Sequence, residues 1–129
     1  MRLRLTAGSL PALLLLAGCS PRLNDERTFA LEPGEERTLT IDPIDRDQTV
    51  KVRVDSPGVP VNVYCFLEKD RGEVEKAVGA PRPSDKVLAR KEKAEAAELE
   101  VAVPAGERAA ILLTPASGKT ANVAVKITN

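Results

Sequence analysis

The sequence predicts an all-β protein, a single β-sandwich or jelly-roll-like domain of about eight short, mostly antiparallel strands. Three observations carry that expectation. Apolar residues recur with period two over most of the chain, as half-buried strands require. Gly-containing turn signals fall between the runs, where the backbone needs a positive or preset φ. The stretch richest in helix formers, residues 86–100, carries no apolar stripe of helical period.

The elements follow in chain order. "RTFAL" puts Phe29 and Leu31 on one face, and "ERTLTID" puts Leu39 and Ile41 together with Thr38 and Thr40 opposite. "QTVKVRVD" is the clearest alternation: Val50, Val52 and Val54 point one way, and Thr49, Lys51 and Arg53 the other. "VPVNVYCFLE" sets Val61, Val63, Cys65 and Leu67 against Asn62, Tyr64 and Phe66. "ELEVAV" aligns Leu99, Val101 and Val103, and "ANVAVKIT" aligns Val123, Val125 and Ile127. "AAILLT" is apolar on both faces. Pro33-Gly34, Pro57-Gly58, Ala105-Gly106 and Ser117-Gly118 separate the runs. The pieces after Gly34 and Gly106 match each other: Leu39 and Ile41 stand where Ile111 and Leu113 do, which suggests equivalent turn-and-strand units, one in each sheet.

Residues 68–97 are ambiguous. "RGEVEKAVG" suits one or two helical turns ended by Gly79, and "APRPSD" reads as loop. "KVLARKEKAEAAELE" contains strong helix formers. On a helix, however, Leu88 would be followed by Lys91, Glu92 and Glu95, so no apolar stripe forms. The preferred reading is a short strand at 86–90, a charged hairpin loop near 91–95, and a strand through Val103. A solvated helix is the alternative.

The N-terminus reads as a leader. Arg2 and Arg4 precede a mostly apolar run from Leu5 to Gly18, too short for the roughly 20 residues of a membrane-spanning helix and suited to a signal peptide. Leu16-Ala17-Gly18-Cys19 resembles the lipobox of bacterial lipoproteins. That resemblance implies cleavage after residue 18, diacylglyceryl and further acyl groups on Cys19, and stable anchoring, since two or more chains hold a protein on a bilayer where one does not. It also implies a cell-envelope location. Ser20, where an Asp often signals inner-membrane retention in Gram-negative lipoproteins, favours the outer membrane in such a host. Residues 19–26 are then a short lipidated tether and 27–129 the β-sandwich domain.

Composition narrows the chemistry. The chain has 19 basic and 19 acidic residues, and the leader removes two of the basic ones, so no excess positive charge points to nucleic acid. There is no His or Trp, and Phe29, Tyr64 and Phe66 are the aromatics. A His general base and an imidazole metal site are therefore excluded, and little is left to stack sugars or bases. With Cys19 acylated, Cys65 has no cysteine to pair with inside the chain.

"FALEPGEERTLTID", "VNVYCFLEKD", "VPAGERAAILLT" and "TANVAVKIT", within Arg27 to Thr128, resemble in turn the opening strands, a middle strand, the late Ala-Gly turn and the last strand of the pre-peptidase C-terminal (PPC-like) β-sandwich family. That family's paired Asp residues and its tyrosine after the Ala-Gly turn are missing here. The resemblance implies a sandwich and a non-catalytic accessory role.

Individual residues support little chemistry. Alternation places Cys65 among core residues, where a free thiol behaves as a small hydrophobe; a reactive thiol is the alternative. Ser117-Gly118-Lys119-Thr120 imitates the end of a phosphate-binding loop, but that loop needs glycine where Leu113 stands and must open a helix. Asp42, Asp45 and Asp47 gather on one loop and form a weak calcium candidate, with Arg46 among them; an Asp-rich turn is the simpler reading. Tyr64 and Phe66 form a candidate binding patch if their face is open. A central strand covered on that face by residues 71–78 is the competing and preferred arrangement. A carboxylate pair for glycoside hydrolysis lacks an aromatic platform to hold the sugar. Ser84, Ser117, Lys86 and Lys119 show no nucleophile-and-base spacing. The expectation is a non-enzymatic lipoprotein with no cofactor beyond its covalent lipid, held on the membrane and binding an envelope protein. The alternative is a small-ligand or glycan-binding module, calcium-assisted through residues 42–47.

Overall fold

The computed structural model describes residues 23–78 and 84–129. The leader, Cys19, the start of the tether, the 80–83 part of the expected loop and Gly79 lie outside the described residues. Eight strands form in chain order: β1 (Asn24–Leu31), β2 (Arg37–Ile41), β3 (Gln48–Asp55), β4 (Val61–Leu67), β5 (Ala89–Ala94), β6 (Ala96–Val103), β7 (Ala109–Pro115) and β8 (Ala121–Thr128). Among the described residues one short helix, α1 (Arg71–Ala77), follows a 3-10 turn after β4. The strands make two four-stranded sheets, ordered β1-β8-β3-β6 and β2-β7-β4-β5, and every pairing is antiparallel. The all-β sandwich expected from the alternation is therefore the fold.

Along the chain, β4 to β5 is the single connection that stays within one sheet. All others cross between the layers, and sequence shows how. Glu32-Pro33-Gly34-Glu35, Ser56-Pro57-Gly58-Val59 and Pro104-Ala105-Gly106-Glu107 each close with a hydrogen bond from the fourth N–H to the first carbonyl. Gly34, Gly58 and Gly106 stand third, at φ 82°, 78° and 78°, which is the type II pattern that glycine adopts without steric cost. Each of the three turns carries the chain from the first sheet to the second. Crossing in this way puts alternate faces of consecutive strands against one another, and the core follows. Val50, Val52 and Val54 from β3, Val61, Val63 and Cys65 from β4, and Val123, Val125 and Ile127 from β8 are all buried in one cluster between the sheets.

Three expectations are corrected. Strand β1 begins at Asn24, because Asn24, Asp25 and Glu26 pair with Thr128, Ile127 and Lys126; the domain takes in residues assigned to the tether. The units after Gly34 and Gly106 lie in the same sheet, not one in each: β2 pairs β7, with Leu39 directly opposite Ile111.

Residues 91–95 are not a hairpin loop. β5 starts at Ala89 and runs to Ala94 on β4, while β6 pairs with β3 in the other sheet. Glu95 alone separates them, at a corner where the chain changes layers. The register slips there, with Val61 opposite Ala94 but Val63 opposite Lys91, and the extra residue bends the strand. Lys93 takes φ 53°, and its N–H donates to Asn62 Oδ1 at 2.9 Å. The carbonyl of Glu95 accepts from Ser56 N–H at 2.7 Å, and its carboxylate from Gly58 N–H at 2.8 Å, so two crossings are tied together. An edge strand needs a partner on one side only, which is why so charged a segment forms one.

Candidate functional site

The outer face of the second sheet is where the candidate patch falls. Tyr64 and Phe66 do share it, with Leu112 opposite Tyr64 and Ala110 opposite Phe66 on β7. The face is not open. Helix α1 lies over it through Val74, and Tyr64, Phe66, Val74, Ala110 and Leu112 form a second apolar cluster, with Val78 and Val87 against its margin. Phe66 is 0% exposed and Tyr64 5%. The exposed-patch reading fails, and the covered central strand is what forms. The residues after β4 supply the cover because Val74 gives the one apolar contact that so short a helix can bury.

Tyr64 is amphipathic in use. Its ring is packed, and its hydroxyl donates to Glu92 Oε2 at 3.0 Å. Burial above all, then the Glu92 hydrogen bond and charge, pushes the phenol up to about 12. Beside it opens a cleft of about 590 Å³ between α1, β4, β5 and the turn after β1. Tyr64, Val74, Val78 and Val87 give it apolar walls, and Asn62, Thr114, Arg90, Glu35 and Glu36 a polar margin. Asn62 is the residue sequence reading missed. Its Nδ2 donates to Thr114 Oγ1 at 3.1 Å while its Oδ1 holds the Lys93 N–H, so one amide locks the bulge to the sheet. An asparagine interrupting a β-branched strand was the available signal.

The remaining candidates are dispersed or engaged. Asp42 Oδ1 accepts from Arg108 Nη1 at 2.8 Å, Asp47 Oδ1 accepts from Ala105 N–H at 2.9 Å, and Asp45 sits 4.0 Å from Arg46. Among the described residues, no group of three or more Cys, Asp or Glu side chains is placed to hold a metal ion. The three aspartates thus serve the loop, two of them by tying it to the turn around Gly106. Cys65 is 2% exposed, between the sheets, and burial pushes its thiol up to about 12; such a thiol is not a nucleophile. Ser84 Oγ donates to Glu73 and accepts from Lys86 N–H, and Ser117 Oγ accepts from Lys119 N–H. Both shape turns, and Ser117 to Thr120 open β8, not a helix.

No family model matches the chain, and no curated protein is similar to it in sequence. Solved structures share its fold. The pre-peptidase C-terminal domain of a collagenase from Bacillus anthracis superposes with a TM-score of 0.60 at 11% identity, over 81% of this chain and 89% of that one. A Yersinia pseudotuberculosis-derived mitogen gives 0.59 at 12% identity, over 84% and 86%. PliG of Aeromonas hydrophila, a periplasmic inhibitor of g-type lysozyme, gives 0.53 at 13% identity, over 86% and 88%. The PPC-like sandwich expected from the sequence is the architecture found.

Proposed function

We propose that this chain is a bacterial lipoprotein whose sandwich is a non-catalytic interaction module of the cell envelope. The observation that carries the reading is the position of the lipobox: Cys19 stands five residues before β1 begins at Asn24. Ser20 to Leu23 reach at most about 3.3–3.6 Å each, so the anchor holds the domain within roughly 20 Å of the bilayer. The end of the sandwich carrying Asn24 and Asn129 then faces the membrane. The turns at 32–35, 56–59 and 115–120 face away from it. Ser20 favours the outer membrane in a Gram-negative host. That one structural neighbour is a lysozyme inhibitor and another a pre-peptidase C-terminal domain is in keeping with a binding role. The engaged serines and the buried thiol argue against catalysis.

A small-ligand role is the second reading, and the cleft beside Tyr64 is what favours it. Its calcium arm has no such support, because Asp42 and Asp47 already hold Arg108 and the turn backbone.

The test is affinity capture from crosslinked native membranes with the full-length tagged protein and a Cys19→Ser control. Palmitate labelling of Cys19, and a specific partner lost or reduced in the control, are expected. An unlabelled, soluble wild-type protein overturns the anchor. A labelled, membrane-bound protein with no partner overturns the interaction role and leaves ligand binding.

A further inference from the structure

A two-sheet sandwich has four edge strands, here β1, β6, β2 and β5. Each presents unpaired backbone N–H and C=O groups to any extended chain that approaches. Three of the four carry a device that discourages pairing. On β1, Asp25 and Arg27 occupy the inward-pointing positions that continue from Phe29 and Leu31, and they bridge each other at 3.2 Å. β2 is five residues long, and its Arg37 folds back over the Phe29 ring at 4.4 Å. β5 reads Ala-Arg-Lys-Glu-Lys-Ala, with Lys91 on the inward register opposite Val63 and the bulge at Lys93.

β6 carries none of these. Its eight residues, Ala96 to Val103, pair with β3 in unbroken register. It contains no Pro, Lys or Arg, and its inward positions are Ala97, Leu99, Val101 and Val103, with Leu99 only partly buried at the open side. Outward it shows Glu98 and Glu100, both exposed. On the β3 side these carboxylates face Arg53 and Lys51; on the other side they face solvent.

We propose that β6 is a docking edge. An extended segment of a partner protein adds to it as a fifth strand, with Lys or Arg at alternate positions beside Glu98 and Glu100 and apolar residues beside Leu99. A second copy is disfavoured: the two antiparallel registers that pair seven residues of β6, centred on Leu99 or on Glu100, set Glu98 against Glu100 twice or Glu100 against Glu100, and like charges directly opposite destabilise a sheet. A basic segment instead sets a cation beside each carboxylate, as Arg53 and Lys51 of β3 do from the other side. Backbone bonds supply affinity and the alternate side chains specificity. The inference rests on the interaction role proposed above and names its surface.

The test uses the isotope-labelled Cys19→Ser protein without its leader and three peptides: acetyl-Val-Lys-Val-Lys-Val-Lys-Val-amide, its Glu-for-Lys counterpart, and the Lys peptide N-methylated at alternate residues. The Lys peptide is expected to shift amide resonances of residues 96–103 and slow their hydrogen exchange. Binding should weaken at least tenfold in the Glu peptide, in the N-methylated peptide, and in a Glu98→Lys/Glu100→Lys variant that stays folded. Shifts confined to the cleft beside Tyr64, equal binding of the N-methylated peptide, or no shift at millimolar peptide would overturn the proposal. Membrane capture with Glu98→Lys/Glu100→Lys separates the two ideas. A partner still retained rejects β6 and keeps the interaction role, whereas a wild-type protein that captures nothing rejects that role.

Discussion

Phe66→Ala separates a covered face on the second sheet from an open one. Phe66 is 0% exposed, lies opposite Ala110 on β7, and has Val74 of α1 in the cluster above it. Removing a buried phenyl costs about 3–5 kcal/mol, the higher end where the site cannot collapse. Ala110 is too small to fill the space, and both β4 and β7 are interior strands held on two sides, so a loss of about 4–5 kcal/mol is expected. With a urea slope of about 1–3 kcal/mol per molar for a domain of this size, the midpoint falls by on the order of 2 M. Since a domain holds about 5–15 kcal/mol in total, the variant remains foldable but fragile. Leu88, 48% exposed, is the control: Leu88→Ala should stay within about 0.5 kcal/mol of wild type. Equilibrium urea unfolding followed by far-UV circular dichroism reads both. If Phe66→Ala unfolds where Leu88→Ala does, α1 does not cover the sheet and the account of the site is wrong.

Other consequences can be checked on the same protein. Tyr64 is the single tyrosine, so phenolate absorbance reports it alone. Its ionisation should be delayed from the ordinary 10 to about 12. The neutral phenol is the form the fold prefers, so its contribution is complete below pH 10 and is lost as pH rises from 10 to 12, where the unfolded chain gives up the proton first. In the Cys19→Ser protein, Cys65 should ignore a disulfide reagent at pH 8 and react fully in denaturing urea; prompt reaction of the native protein would contradict its burial. Asn62→Ala removes the acceptor of the solvent-exposed Lys93 N–H and the donor to Thr114 Oγ1, and should lower stability by about 0.5–1.5 kcal/mol, read as a shift in the urea midpoint. Millimolar calcium should leave Tm unchanged, and a clear rise would mean that Asp42, Asp45 and Asp47 rearrange to gather a cation.

Strand identity was legible because a strand in a sandwich meets core on one face and solvent on the other, and period two records that locally. Val50, Val52 and Val54 declare their strand without reference to any other part of the chain. The turns were legible for the same reason, since a glycine at positive φ is a demand of one residue's own backbone. Sheet membership was not. Leu39 and Ile111 pair directly, yet similar local patterns say nothing of whether two strands are neighbours or face each other across the core. The segment around Glu95 was misread because a hairpin and a corner both need a bend between two strands. They differ only in whether the second strand finds β4 or β3.

The sequence by itself determined the alternation, the crossing turns and the absence of histidine chemistry, because each is written in single residues or their nearest neighbours. The tertiary structure alone decided that Phe66 lies beneath α1 and that the aspartates of 42–47 hold Arg108 and the turn around Gly106. It also decided that β6 ends its sheet unguarded. Burial, charge pairing and edge position depend on which distant segment arrives beside a residue, and no local pattern carries that information.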